Sequence, residues 1–109
     1  MSNITTFNFD ALQVRAVLRD GEPWFVASDV CAVLEIADVR QAVERLDDSE
    51  RGGCTVPTPG GPQEVRAVNE SGMYALIFTS RKPEAQRFRR WVTSDVLPSI
   101  RRTGQYVAP

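Results

Sequence analysis

Arg87 and Arg90 stand three residues apart in a segment whose Ala85, Phe88, Val92 and Val96 recur at helical spacing. That spacing gathers the four apolar residues into an inward stripe and turns Arg87, Arg90 and Ser94 to the opposite face. Arg81 and Lys82 come just before, next to Pro83, which suits the first position of a helix, with Glu84 favourably placed behind it. Guanidinium groups pair bidentately with phosphate, and cations clustered on one face are what a nucleic-acid backbone attracts. Arg81, Lys82, Arg87 and Arg90 are therefore the candidate nucleic-acid-binding residues. The plainer alternative is a solvated helix face in which Glu84 pairs with Arg87 at i, i+3. Arg101 and Arg102 fit a different role, complementing the negative end of a helix dipole. Arg89 falls at the edge of the apolar stripe and is expected to bridge to an acid of the N-terminal half such as Asp29.

The net charge of −1 conceals an asymmetry. Residues 1–70 hold six arginines against twelve acids, a net of −6, while residues 71–109 hold seven bases against two acids, a net of +5. Such a division arises either from an anionic partner for one face or from pairing between the halves inside the fold.

Catalysis finds no foothold. The chain has no histidine, and no nucleophile–base pair can be named. Its carboxylates sit where caps and turns explain them, and Gly60-Gly61 lacks the strand-to-helix setting of a phosphate loop. Two cysteines without histidine cannot build a metal cluster, so no enzyme, metal or cofactor is expected. Cys31, among Val30, Ala32 and Val33, reads as a buried free thiol; Cys54 reads as part of a strand start, and a disulfide between the two lacks support in a reducing compartment. No secretory signal is visible, and the longest apolar run, Met73 to Phe78, is far too short to span a membrane. The expected location is the cytoplasm.

The elements that must position these residues are legible in outline. Leu12, Val14, Ala16 and Leu18 alternate with mostly polar neighbours as in a half-buried strand. Asp20-Gly21 favours a hairpin turn, and Trp24-Phe25-Val26 supplies the returning strand, with a short strand around Phe7 and Phe9 before them. Ser28 is the expected N-cap of a short helix carrying Asp29, Val30, Val33 and Leu34. Asp38 with Gln41 opens a second helix with Val39, Ala42, Val43 and Leu46 on one face. Residues 47–53 read as a polar loop. Cys54 to Thr58 and Gln63 to Val68 form a second hairpin about Pro59-Gly60-Gly61-Pro62. Met73, Tyr74, Leu76, Ile77 and Phe78 are apolar on nearly every side, so their helix is expected to be the buried centre. Pro98 should break or kink the last helix near Ser94, with a final turn ending at Gly104. The fold class is α+β: two antiparallel hairpin units packed with four to five helices in one domain over residues 1–109.

The order of residues resembles the N-terminal domain of the BRO family, found in phage and prophage antirepressors and in related proteins of large DNA viruses. The resemblance is carried by Val14-Arg15, Gly21 to Val26, Asp29-Val30, Leu34, Gly60-Gly61 with Gln63, and most specifically by Asn69 to Tyr106. One departure is Glu35, where many members have glycine after the leucine. That departure and the surrounding Glu44, Asp47 and Asp48 make a plain helical pair of residues 28–46 rather than a helix-turn-helix unit. The resemblance implies an α+β domain acting in phage or viral gene regulation, with no catalytic residues to carry over. It also implies that such a domain usually precedes another, so this chain looks like either a shortened piece or a one-domain relative.

Two classes of function follow. One is an antirepressor-type regulatory module that binds DNA through the basic helix. The other is a protein-interaction module that inhibits a repressor protein, or forms a homodimer, without contacting DNA. A continuous positive face would favour the first; buried arginines and an exposed apolar patch would favour the second.

Overall fold

The computed structural model describes residues 4–80 and 82–102. Five strands, β1 (Ile4–Phe9), β2 (Leu12–Arg19), β3 (Glu22–Val26), β4 (Arg51–Thr58) and β5 (Gly61–Asn69), form a single sheet in the order β1-β2-β3-β5-β4. All neighbours run antiparallel. The two expected hairpin units are thus fused: Trp24, Phe25 and Val26 pair with Asn69, Val68 and Ala67. Among the described residues five α-helices complete the α+β fold: α1 (Ala27–Leu34), α2 (Val39–Glu44), α3 (Glu70–Thr79), α4 (Pro83–Trp91) and α5 (Leu97–Arg102).

Strand alternation sends Val14, Ala16, Phe25 and Val68 to one face, where Val30, Leu34, Met73, Leu76, Phe88, Val92 and Val96 cover them to form the main core. The opposite face carries a smaller cluster of Trp24, Val26, Cys54, Val56 and Ala67. Cys31 belongs to the first cluster and Cys54 to the second, and both are buried free thiols. Burial pushes the Cys31 thiol up to about 11 from an ordinary 9.0. A raised thiol contributes stability that is complete below pH 9.0 and is lost as pH rises toward about 11. Maleimide should accordingly label Cys31 only after denaturation, and mass-detected labelling of the native protein at neutral pH within minutes would contradict its burial.

The β2–β3 turn forms as expected, with positive φ at both Asp20 (54°) and Gly21 (77°). Asp10 in the β1–β2 turn is likewise left-handed, at φ 55°. Several boundaries differ from expectation. Ser28 is not a cap: α1 starts at Ala27, two residues earlier than such a cap would place it, directly from extended Val26, and no side chain caps it. Residues 47–53 are not simply a loop. Asp47 and Glu50 form a capping box around a 3-10 turn, Asp48–Glu50, and β4 begins at Arg51, so Cys54 is mid-strand. Gly52 and Gly53 pair there with Ala67 and Arg66. A side chain at Gly52 would crowd the Trp24 ring at 3.3 Å, so the pair that reads as flexible serves close packing.

α3 is buried on one face only. Gly72, Met73, Leu76 and Ile77 face the core, Tyr74 and Ala75 are half-buried, and Phe78 is 79% exposed. Asn69 caps this helix by accepting the Gly72 N–H at 2.9 Å. Pro98 does not break the last helix. The chain passes through a π segment, Val92–Val96, in which the Leu97 N–H donates to the Val92 carbonyl five residues back, and the helix then resumes as α5. The wider turn accommodates the absent proline N–H without ending the helix. Gly104 and Arg81 lie outside the described residues.

Glu35 ends α1 in the left-handed conformation (φ 58°, ψ 40°), its N–H donating to the Ala32 carbonyl and that of Ile36 to the Cys31 carbonyl. A glycine would hold this turn without the penalty that a Cβ incurs there. Glu35→Gly should therefore stabilise the domain by about 0.5–1 kcal/mol, read as a higher denaturant midpoint. A lower midpoint would mean that the Glu35 side chain contributes more than the backbone strain costs.

Candidate nucleic-acid interface

Pro83 starts α4, and Ala85 and Phe88 on its inner face are buried. Phe88 fixes the helix azimuth: its ring lies 5.5 Å from Phe9 and 5.8 Å from Trp91, and Trp91 in turn lies 5.1 Å from Phe9 and 6.2 Å from Phe7. This aromatic cluster pins α4 against β1 and leaves Arg87, Arg89 and Arg90 exposed. The inward stripe of Ala85, Phe88, Val92 and Val96 is buried as the spacing predicts.

The four candidate cations do not share one environment. Arg87 lies across the Phe9 ring, 5.0 Å from guanidinium carbon to centroid, and its Nη2 donates to both Asp10 oxygens at 2.9 and 3.1 Å. Glu84 is thus not its partner. Lys82 Nζ donates to Glu35 Oε1 at 2.6 Å, a hydrogen bond that holds the ammonium above its ordinary value. Arg90 is exposed and makes no ion pair among the described residues. Arg81 lies outside them.

Arg89 does not reach Asp29. That carboxylate is taken by Arg15, whose backbone N–H, Nε and Nη2 donate to it at 2.9, 2.8 and 3.0 Å. Arg15 extends from the neighbouring strand and meets Asp29 in the first turn of α1, whereas Arg89 sits one position past the buried Phe88 and points to solvent. Arg101 lies 3.9 Å from Glu70.

Pairing between the halves accounts for part of the charge asymmetry, through Lys82 with Glu35, Arg87 with Asp10 and Arg101 with Glu70. The first two pairs are about half-exposed on both sides, and such surface pairs contribute roughly 0–1 kcal/mol. A phosphate can compete for these bases at little cost. Arg45, Arg66 and Arg102 are also exposed without ion pairs among the described residues; Arg102 adjoins Arg101, whereas Arg45 and Arg66 stand singly in sequence. Among the described residues no group of three or more Cys, Asp or Glu side chains could hold a metal ion, and no helix is long and apolar enough to cross a membrane.

The model of the BRO family, N-terminal domain, matches residues 13–98, from the start of β2 to the start of α5. The chain belongs to the BRO family. Among curated relatives of this BRO domain, an uncharacterized protein of Haemophilus influenzae is 45% identical over 106 residues, covering 94% of this chain and 52% of that protein. The Bro-N domain-containing protein 289L of Invertebrate iridescent virus 6 is 37% identical, covering 93% of this chain and 29% of the viral protein. The Bro-N domain-containing protein ORF2 of Autographa californica nuclear polyhedrosis virus is 29% identical over 92% of this chain and 36% of its own length. The BRO domain here thus spans about half or less of these relatives. No solved structure matches it.

Proposed function

We propose that this BRO domain is an antirepressor-type gene-regulatory module that contacts DNA phosphates through the exposed face of α4. Arg90 and Arg87 are the principal contacts, Lys82 a further one, and Arg81 widens the same patch by its place in sequence. The observation that carries this reading is the division of α4, with Phe88 locked into the aromatic cluster and Arg90 held outward without an ion-pair partner among the described residues. Bound phosphate would exchange for Asp10 at Arg87 and for Glu35 at Lys82, both exposed pairs. The small net charge makes the binding weak, about micromolar or poorer at physiological salt. Arg87→Ala with Arg90→Ala should weaken binding to all sequences alike while leaving the melting curve in place, as a mobility-shift titration beside a thermal melt would show.

A second reading has its own support. Phe78 is 79% exposed and, with half-buried Tyr74 and Ala75, forms an apolar surface on α3. Large apolar side chains exposed together on a soluble domain favour a protein-interaction module. The two readings use different faces and can hold together.

A further inference from the structure

We infer that the outer face of α3 is a docking groove for a basic amphipathic segment of a partner protein, one that presents an aliphatic stripe flanked by lysine or arginine. The inference deepens the protein-interaction reading and is independent of DNA contact. Tyr74, Ala75 and Phe78 follow i, i+1, i+4 on one face, with polar Ser71 one turn before them, so α3 carries a second, short apolar stripe back to back with its buried Met73, Leu76 and Ile77. This chain's own described residues cover Tyr74 and Ala75 only in part and leave Phe78 open, at 79% of its exposure. Tyr74, Ala75 and Phe78 floor a shallow groove, and Glu22, Glu50 and Glu70 rim it.

The charge of that rim selects the occupant. Among the described residues three carboxylates and no lysine or arginine line the groove, although Arg89 and Arg101 lie near enough to Tyr74 to act on it electrostatically. The acids are held by the fold: Glu50 bonds the Asp47 N–H and the Ser71 hydroxyl, and Glu22 accepts from Asn69 at 3.4 Å. Arg101, 3.9 Å from Glu70, offsets one of the three charges. A two-fold pairing of this stripe with itself would bring these rims together, and like charges facing across an interface disfavour it. An acidic rim around an aromatic anchor instead complements cations around an aliphatic residue, the arrangement of a helix laid in a groove.

The test is titration of the whole chain with a synthetic helical peptide bearing a leucine stripe flanked by lysines, followed by NMR shifts. Shifts should concentrate at Tyr74, Ala75 and Phe78, and Phe78→Ser should weaken binding about tenfold or more. Glu22→Gln with Glu70→Gln should weaken it and flatten its salt dependence. Arg87→Ala with Arg90→Ala should leave it unchanged, so that failure of the groove and failure of the DNA reading are separately visible. The proposal is overturned if the lysines can be exchanged for glutamates without loss, if Phe78→Ser has no effect, or if shifts map elsewhere. It is equally overturned if sedimentation shows a dimer that Phe78→Ser dissociates, because the groove would then belong to a second copy.

Discussion

Replacing Phe88 with alanine should destabilise the domain by about 3–5 kcal/mol, among the costliest single truncations in this fold. The ring is fully buried and joins α4 to β1 through Phe9 and Trp91. Its removal costs the transfer of the ring, leaves a cavity that backbone on both sides cannot close, and loses edge-on aromatic contact. For a domain of this size each kcal/mol moves Tm by roughly 4 °C or more, so a fall of roughly 12 °C or more is expected by calorimetry. A melt within about 4 °C of wild type would mean that α4 is not anchored by this ring.

Asp29→Ala should cost about 3 kcal/mol or more. Asp29 accepts three hydrogen bonds from Arg15, and the two side chains retain only 12% and 24% of their exposure. Alanine leaves a largely buried guanidinium and a strand N–H without their acceptor, and that desolvation is the source of the cost. Replacing both partners with apolar residues of similar volume, Arg15→Met with Asp29→Leu, should recover most of the loss, because no charge is then left unpaired. Denaturant midpoints of the single and double variants decide the matter: equal losses in both would show that shape, not pairing, governs the site.

What the sequence disclosed depended on how local the cause was. The β2–β3 turn was legible because Asp20-Gly21 sets its own backbone, and α4 because an apolar stripe beside arginines admits one orientation. α3 was legible as a helix but not in its facing: with apolar residues all round, nothing local says that Phe78 stays outside. The Gly52-Gly53 pair read as a loop because its reason for being glycine, the Trp24 ring, lies on another strand. Pro98 marked the place of a distortion but not its form, a π turn rather than a break. Among the candidate site residues, amphipathy alone placed Arg87 and Arg90 on the surface. The partner of Arg87 was invisible, since Asp10 lies 77 positions away and meets it only after β1 packs on α4. Nothing local to Arg89 shows that β2 delivers Arg15 to Asp29, so the spacing of Arg89 alone points to the wrong partner.

The central claim is that α4 presents its arginines to DNA phosphates, and a fluorescence-anisotropy titration of a labelled duplex across salt concentrations tests it most directly. Three proteins suffice: wild type, Arg87→Ala with Arg90→Ala, and Asp10→Asn. Asparagine tolerates the left-handed backbone at position 10 and removes the carboxylate that now holds Arg87. Wild type should bind at low salt and lose affinity steeply as salt rises. The double arginine variant should bind more weakly with a salt slope of log K reduced by roughly 1.8, about 0.9 for each lost contact. Asp10→Asn should bind more tightly than wild type. Absence of wild-type binding even at low salt, or a salt slope unchanged in the arginine variant, would contradict the claim and leave the α3 face as the functional surface.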